Sequence, residues 1–298
     1  MRVFITGASG WIGSAAVEEL LASGHEVVGL ARSDASAAAL EAKGAQVRRG
    51  DLDDLESIRA GAADSDAVLH LANKHDFTNP AVSDKAERDA VQAIGDVLTG
   101  SGRPFLLASG VIGPTPGQLM TENDRSPFHG PDSPRGGSEN LALEYVERQV
   151  NTVSVRFAPT VHGAGDHGFI AALVGIARDK GTASYVAEGT NRWPAVHRSD
   201  AAQVIRLGLE KAPAGTILHA ISEEGIPTRE IAEAIGRGLG LPVTSIAPED
   251  APEHFGWIGG FFAMDAPTSS ALTQKLLGWT PSGPTLLQDF DSGAYFRV

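Results

Sequence analysis

Cysteine is absent from this 298-residue chain, which excludes a disulfide framework, a thiolate nucleophile and a cysteine-ligated zinc. Positive charge is also scarce. Against 37 Asp and Glu stand 24 Lys and Arg, a formal net charge of -13. Such a chain is poorly suited to nucleic acid or anionic membrane, because both require a cationic surface to displace counterions. Tyrosine occurs only as Tyr145, Tyr185 and Tyr295. No apolar run approaches a membrane span, and Met1-Arg2 lead into an apolar strand without a signal-type stretch and cleavage site. The expectation is a soluble, cytoplasmic protein with a small-molecule substrate, holding any anionic ligand locally.

What is present is alternation. Short apolar runs at Val3–Ile5, Val27–Leu30, Gln46–Arg48, Ala67–Leu69, Phe105–Leu107 and Val153–Val155 read as strands, with helical patterns between them. Residues 13–23 carry helical spacing and stop at Gly24, while Ser33 or Asp34 can cap the Ala-rich helix that follows. This is the pattern of a parallel sheet with crossover helices. Residues 110–137 lose all periodicity and read as a long loop; beyond residue 157 helices are expected over 199–211, 228–239 and 267–277. The predicted fold is α/β, a Rossmann doubly wound parallel sheet over residues 1–160. Residues 161–298 form mainly a smaller C-terminal substrate lobe, interleaved with the first part in one compact unit.

The first strand runs into Thr6-Gly7-Ala8-Ser9-Gly10-Trp11-Ile12-Gly13. A phosphate needs backbone N–H donors at the positive end of a helix, approachable only where side chains are missing. The spacing is Gly-x-x-Gly-x-x-Gly and not the Gly-x-Gly-x-x-Gly fingerprint, but strand, glycine turn and helix come in the right order for a dinucleotide. An ordinary tight turn is the alternative. At the end of the second strand stand Ala31, Arg32 and Ser33, with no acid at that edge. Arg32 offers a planar, permanently charged fork for a 2'-phosphate, which favours NADP (as NADPH) over NAD. Asp34 reads either as a ribose-binding acid or as a helix cap. Asp51-Leu52 and Leu71-Ala72, after the third and fourth strands, fall where adenine and ribose would lie, or serve as plain turn and core.

These stretches, with Ala108-Ser109-Gly110, Arg156-Phe157-Ala158-Pro159-Thr160-Val161-His162-Gly163 and Trp193-Pro194-Ala195-Val196-His197, together resemble the short-chain dehydrogenase/reductase superfamily. The likeness is to its extended and atypical members of the NAD-dependent epimerase/dehydratase type, and it covers nearly the whole chain. It implies a Rossmann fold with a substrate lobe, a homodimer formed through a helix bundle, and Pro159 beside the nicotinamide. It also implies a catalytic Tyr four residues before a Lys. No such pair exists here: Tyr145 and Tyr185 are followed at that distance by Gln149 and Gly189, and Tyr295 is too near the end. With Ser138-Glu139 set against the family's Ser-Lys, Arg135 stands for the Tyr and Glu139 for the Lys.

Other residues must then orient the substrate and stabilise developing charge. Ser109 matches the family's Ser that hydrogen-bonds the reacting oxygen, or is a turn serine. Arg135 and His129 are candidates for electrophile and proton donor, or are solvated loop residues. His162 is a candidate acid, or a half-buried histidine bonded to a carbonyl. His75, Phe77, Trp193 and His197 are candidate pocket walls, or core. No metal is expected, since no His-Glu-x-x-His occurs, and no hydrolase elbow surrounds Ser109. The function expected is an NADP-dependent oxidoreductase reducing a carbonyl, quinone or activated alkene. The alternatives are an NADP-binding redox sensor without turnover and an epimerase or isomerase that retains its cofactor.

Overall fold

The computed structural model describes residues 1–76, 79–111 and 117–296. Helices separate the first six strands, β1 (Arg2–Thr6), β2 (Glu26–Ala31), β3 (Gln46–Arg49), β4 (Ala67–His70), β5 (Pro104–Gly110) and β6 (Asn151–Phe157). All six expected strands are present. Six more were not anticipated: β7 (Thr160–His162), β8 (Ala183–Val186), β9 (Arg192–His197), β10 (Ile217–Ala220), β11 (Glu223–Pro227) and β12 (Val243–Ile246).

A seven-stranded sheet runs β10-β6-β5-β4-β1-β2-β3, with every neighbouring pair parallel. Helices cover both faces, so the central strands are apolar throughout: Val3, Phe4, Ile5, Val68 and Leu69 are fully buried. The order reverses between β1 and β4. That reversal opens a crevice beyond the carboxyl ends of those two strands, where ligands of such sheets bind. β10 lies far along the chain yet pairs with β6, and the helix Arg198–Lys211 leading to it packs on the helix Trp11–Ala22.

The remaining strands build the second lobe, where β9 lies between β7 and β11 and a separate pair joins β8 to β12. Trp193, Phe255, Phe262 and Phe290 share its core. The expected helix over 267–277 begins only at Ala271. Residues 268 and 269 are instead tied across the molecule, Thr268 N–H to the Glu224 carbonyl (2.8 Å) and Ser269 N–H to the Met120 carbonyl (2.8 Å). Those bonds also anchor the long loop, with Met120 N–H donating to the Pro267 carbonyl (2.9 Å).

Candidate functional site

The glycine turn lies at the sheet's reversal. Gly7 has φ of 70°, and a Cβ there would meet Ala72 N at 2.7 Å; a Cβ on Gly13 would meet the Gly7 carbonyl at 2.0 Å. Strand and helix are thus packed too closely for side chains. Gly10 caps the helix Trp11–Ala22 without any side-chain hydrogen bond, leaving its first N–H groups open to a phosphate. Thr6 closes the floor: its Oγ1 lies 2.9 Å from His70 Nδ1 and accepts from Ala72 N–H at 3.3 Å, while Leu71 N–H donates to the Thr6 carbonyl. Ser9 is exposed and Ile12 packs against the core. Trp11 is pinned on two sides, by its indole N–H on the Val161 carbonyl (2.7 Å) and by the Arg198 guanidinium 4.3 Å above its ring. A dinucleotide fits this cradle.

At the end of β2, Ala31 is buried while Arg32 is exposed and makes no hydrogen bond or ion pair among the described residues. Ser33 is the helix cap, its Oγ accepting from Ser36 N–H at 3.1 Å. Asp34 does not cap; it begins the helix and its carboxylate is paired with Arg49. The Asp51 carboxylate accepts locally from Asp53 N–H (2.8 Å) and Asp54 N–H (3.1 Å), and Leu52 packs against the core. Pro159 lies half-buried between β6 and β7.

Beyond the carboxyl ends of β5 and β6 opens a cleft lined in part by Glu87, Ser109, Phe128, Arg135, Glu139 and Arg156. Two guanidiniums meet two carboxylates there. Arg135 donates from Nη2 to Glu87 Oε1 (2.6 Å) and to the Ala108 carbonyl (3.0 Å), and from Nε to Glu87 Oε2 (3.1 Å). Arg156 donates from Nε to Glu139 Oε1 (2.8 Å), from Nη2 to Glu139 Oε2 (3.2 Å) and from Nη1 to the Asp124 carbonyl (2.7 Å). Ser154 adds a hydroxyl to Glu139 Oε1 at 2.7 Å.

Glu87 is the residue that sequence reasoning missed. It lies on the helix Pro80–Leu98, 1% exposed, with Asn73 Nδ2 also donating to its Oε2 at 2.6 Å. Burial pushes its carboxyl up, against the pull of Arg135 and Asn73. A signal was there: Ser83, Glu87, Val91 and Ile94 share the buried stripe of that helix, an unusual place for a carboxylate. Arg135 reaches it from a backbone φ of 55°, followed by Gly136 at 59° and Gly137 at 61°. This left-handed run is held by Arg88 Nη1 on the Gly136 carbonyl (2.6 Å).

The Ser109 hydroxyl and Arg135 Nη1 make no hydrogen bond among the described residues, although Ser109 is only 9% exposed. The cleft adjoins the cofactor crevice, for Arg135 bonds the Ala108 carbonyl on β5, one residue from Leu107, which aligns with His70 on β4. Burial lowers His70 to about 3, with Arg135 adding to the effect, so this imidazole is neutral. None of the three tyrosines lines the cleft. Tyr145 bonds Asp96 (2.8 Å), Tyr295 bonds Asp166 (2.8 Å), and Tyr185 lies beneath Arg229.

The remaining expected site residues lie elsewhere. His162 is fully buried, its Nδ1–H donating to Asp289 Oδ2 at 2.6 Å, and it meets the second lobe, not Ser109. Burial lowers its pKa against the opposing pull of Asp289, and burial raises that of Glu223, 3.7 Å from Nε2. His197 sits beside His162 with ring centroids 5.4 Å apart and caps the helix Arg198–Lys211. His129 is exposed, 3.3 Å from Asn140 Nδ2. Trp193 is not a wall of this cleft: at 2% exposed it packs on Phe262 in the lobe core. His75 is exposed and is not among the residues lining this cleft. Phe77 lies outside the described residues.

Residues 3–220 match the NAD dependent epimerase/dehydratase family. The chain belongs to that family. It is 46% identical to an uncharacterised protein of Schizosaccharomyces pombe over 99% of this chain and 100% of the relative. A ketoreductase of Stigmatella aurantiaca acting on a farnesyl dihydroquinoline oxide is 28% identical, covering 73% of this chain and 67% of its own. In fold it is similar to DesIV, a dTDP-glucose 4,6-dehydratase of Streptomyces venezuelae solved with NAD and TYD bound. The TM-score is 0.78 and the identity 23%, over 99% of this chain and 97% of that one. Among the described residues no helix is long and apolar enough to cross a membrane.

Proposed function

We propose that this protein is an NADP-dependent oxidoreductase that reduces a small carbonyl compound, a quinone or an activated alkene, with Ser109 and Arg135 in place of the family's Tyr and Lys. One observation carries the reading: in this cleft the Ser109 hydroxyl makes no hydrogen bond among the described residues and Arg135 keeps Nη1 outside its grip on Glu87, so both are available to a substrate oxygen. When bound, the nicotinamide supplies the hydride. The glycine turn from Gly7 to Gly13 and the open helix end hold its pyrophosphate, and Arg32 receives the 2'-phosphate.

Arg135 cannot give up a proton at working pH, so its part is electrostatic: Nη1–H donates to the substrate oxygen as charge grows there. Ser109 donates to the same oxygen, passes it the proton and recovers one from cleft water. The product is the alcohol, or the quinol when a quinone is the acceptor. The ketoreductase relative fits this reading, as does the pairing of both cleft arginines, Arg135 and Arg156, with carboxylates.

The test joins binding to turnover. Fluorescence titration should show NADPH binding more tightly than NADH, and Arg32→Ala should weaken NADPH about 10–100-fold while leaving NADH nearly unchanged. Equal losses would remove Arg32 from the 2'-phosphate. Ser109→Ala should keep NADPH affinity and lower turnover of a quinone or ketone acceptor about 100-fold. Tight NADPH binding with no acceptor consumed across a broad panel would favour a redox sensor instead.

A further inference from the structure

The two arginines of the cleft enter it already neutralised. Glu87 takes Arg135 in a two-point grip and Glu139 takes Arg156 in another, and both carboxylates are buried. Every nitrogen of Arg156 already donates once, Nε and Nη2 to Glu139 and Nη1 to the Asp124 carbonyl. Arg135 keeps only Nη1. An incoming carboxylate or phosphate would therefore find one unengaged guanidinium nitrogen and, directly behind it, the buried negative charge of Glu87. An uncharged carbonyl finds the same N–H without the repulsion.

We propose that Glu87 is a positioning and specificity-determining residue: by clamping Arg135 it aims Nη1 at the substrate oxygen and discharges the guanidinium, so that the cleft selects uncharged carbonyl substrates over anionic ones. This rests on the cleft being the substrate site. It adds a residue that does not touch the reacting atoms and acts through Arg135. The left-handed backbone at Arg135, Gly136 and Gly137 fits the same purpose, since it delivers the guanidinium to a carboxylate on a different helix. Asn73 occupies part of Glu87 Oε2 and limits how far the clamp can swing.

The experiment uses a matched pair of acceptors, ethyl pyruvate and pyruvate, which carry the same keto group and differ in charge. Their intrinsic ratio is fixed by reduction with borohydride in the absence of protein. The wild-type enzyme with NADPH should favour ethyl pyruvate well beyond that ratio. Glu87→Gln should retain NADPH affinity, lower kcat for ethyl pyruvate, and shift the kcat/KM ratio toward pyruvate by about tenfold or more. Glu87→Asp, which keeps the charge, should hold the wild-type preference. A wild-type ratio no larger than that of borohydride, or one that Glu87→Gln leaves unmoved, would overturn the proposal.

Saturation-transfer NMR on the NADP-loaded protein reads the same preference as binding. If neither acceptor is turned over, the oxidoreductase reading falls while this binding ratio still decides for or against the clamp. Should Glu87→Gln fail to fold, the wild-type ratio against borohydride decides alone.

Discussion

The cleft and the junction between the lobes both bury charged groups, yet they do so in opposite ways. In the cleft each carboxylate faces a guanidinium that cannot lose its proton, Glu87 with Arg135 and Glu139 with Arg156. At the junction the buried imidazole of His162 stands between Asp289 and Glu223, with Nε2 lacking a hydrogen bond among the described residues. Burial lowers the pKa of His162 and raises those of Glu223 and neighbouring Asp166, so each group is pushed toward its neutral form. In the cleft each carboxylate has a permanent cation opposite it. The junction is held by groups that can change their charge.

The largest expected effect comes from breaking one of the cleft pairs. Arg156→Met leaves Glu139 buried and unmatched and should cost about 3–5 kcal/mol in urea unfolding, with the double change Glu139→Leu/Arg156→Met recovering most of it. A small loss in the single variant would mean that the cleft tolerates an unpaired carboxylate.

The next effect tests the neutral imidazole on the cofactor side. His70 is held at about 3 in the fold and takes a proton near 6.5 when unfolded. Its contribution is therefore fully present above pH 6.5 and is lost as the pH falls toward 3, at up to ~1.4 kcal/mol per pH unit. Comparing unfolding at pH 7 and pH 5, His70→Gln should lessen the loss by about 2 kcal/mol. An unchanged loss would place the acid sensitivity entirely on the other buried histidines.

The smallest effect belongs to the junction. Asp289→Asn keeps a carbonyl oxygen for His162 Nδ1–H and should cost about 1 kcal/mol. Hydrogen exchange should quicken first in the C-terminal helix Leu286–Asp291, while the seven-stranded sheet stays protected. Loosening that spread evenly through both lobes would erase the contrast.

The sheet's first six strands were legible because each is a compact apolar run between recognisable helix signals. β7 through β12 were not. They are three to six residues long, lie among glycines and prolines, and in β11 and β12 present exposed or half-exposed positions. What makes them strands is pairing with distant partners, as when Ile217 aligns with Ser154 across β10 and β6. The glycine turn was readable from composition alone, because close approach excludes every other residue at Gly7 and Gly13. The cleft was half legible. Ser109 and Arg135 could be placed by resemblance, but the clamp joins positions 48 apart in sequence, and nothing local to Glu87 names its partner.

The left-handed turn that delivers Arg135 also limits what else the cleft can hold. Restoring Tyr and Lys by Arg135→Tyr with Glu139→Lys would strip Glu87 of its counter-ion and set a new cation against Arg156 in a dry interior. Putting the family's Tyr and Lys into this cleft would therefore require Glu87 and Arg156 to change with them, because each would otherwise keep a buried charge without its match.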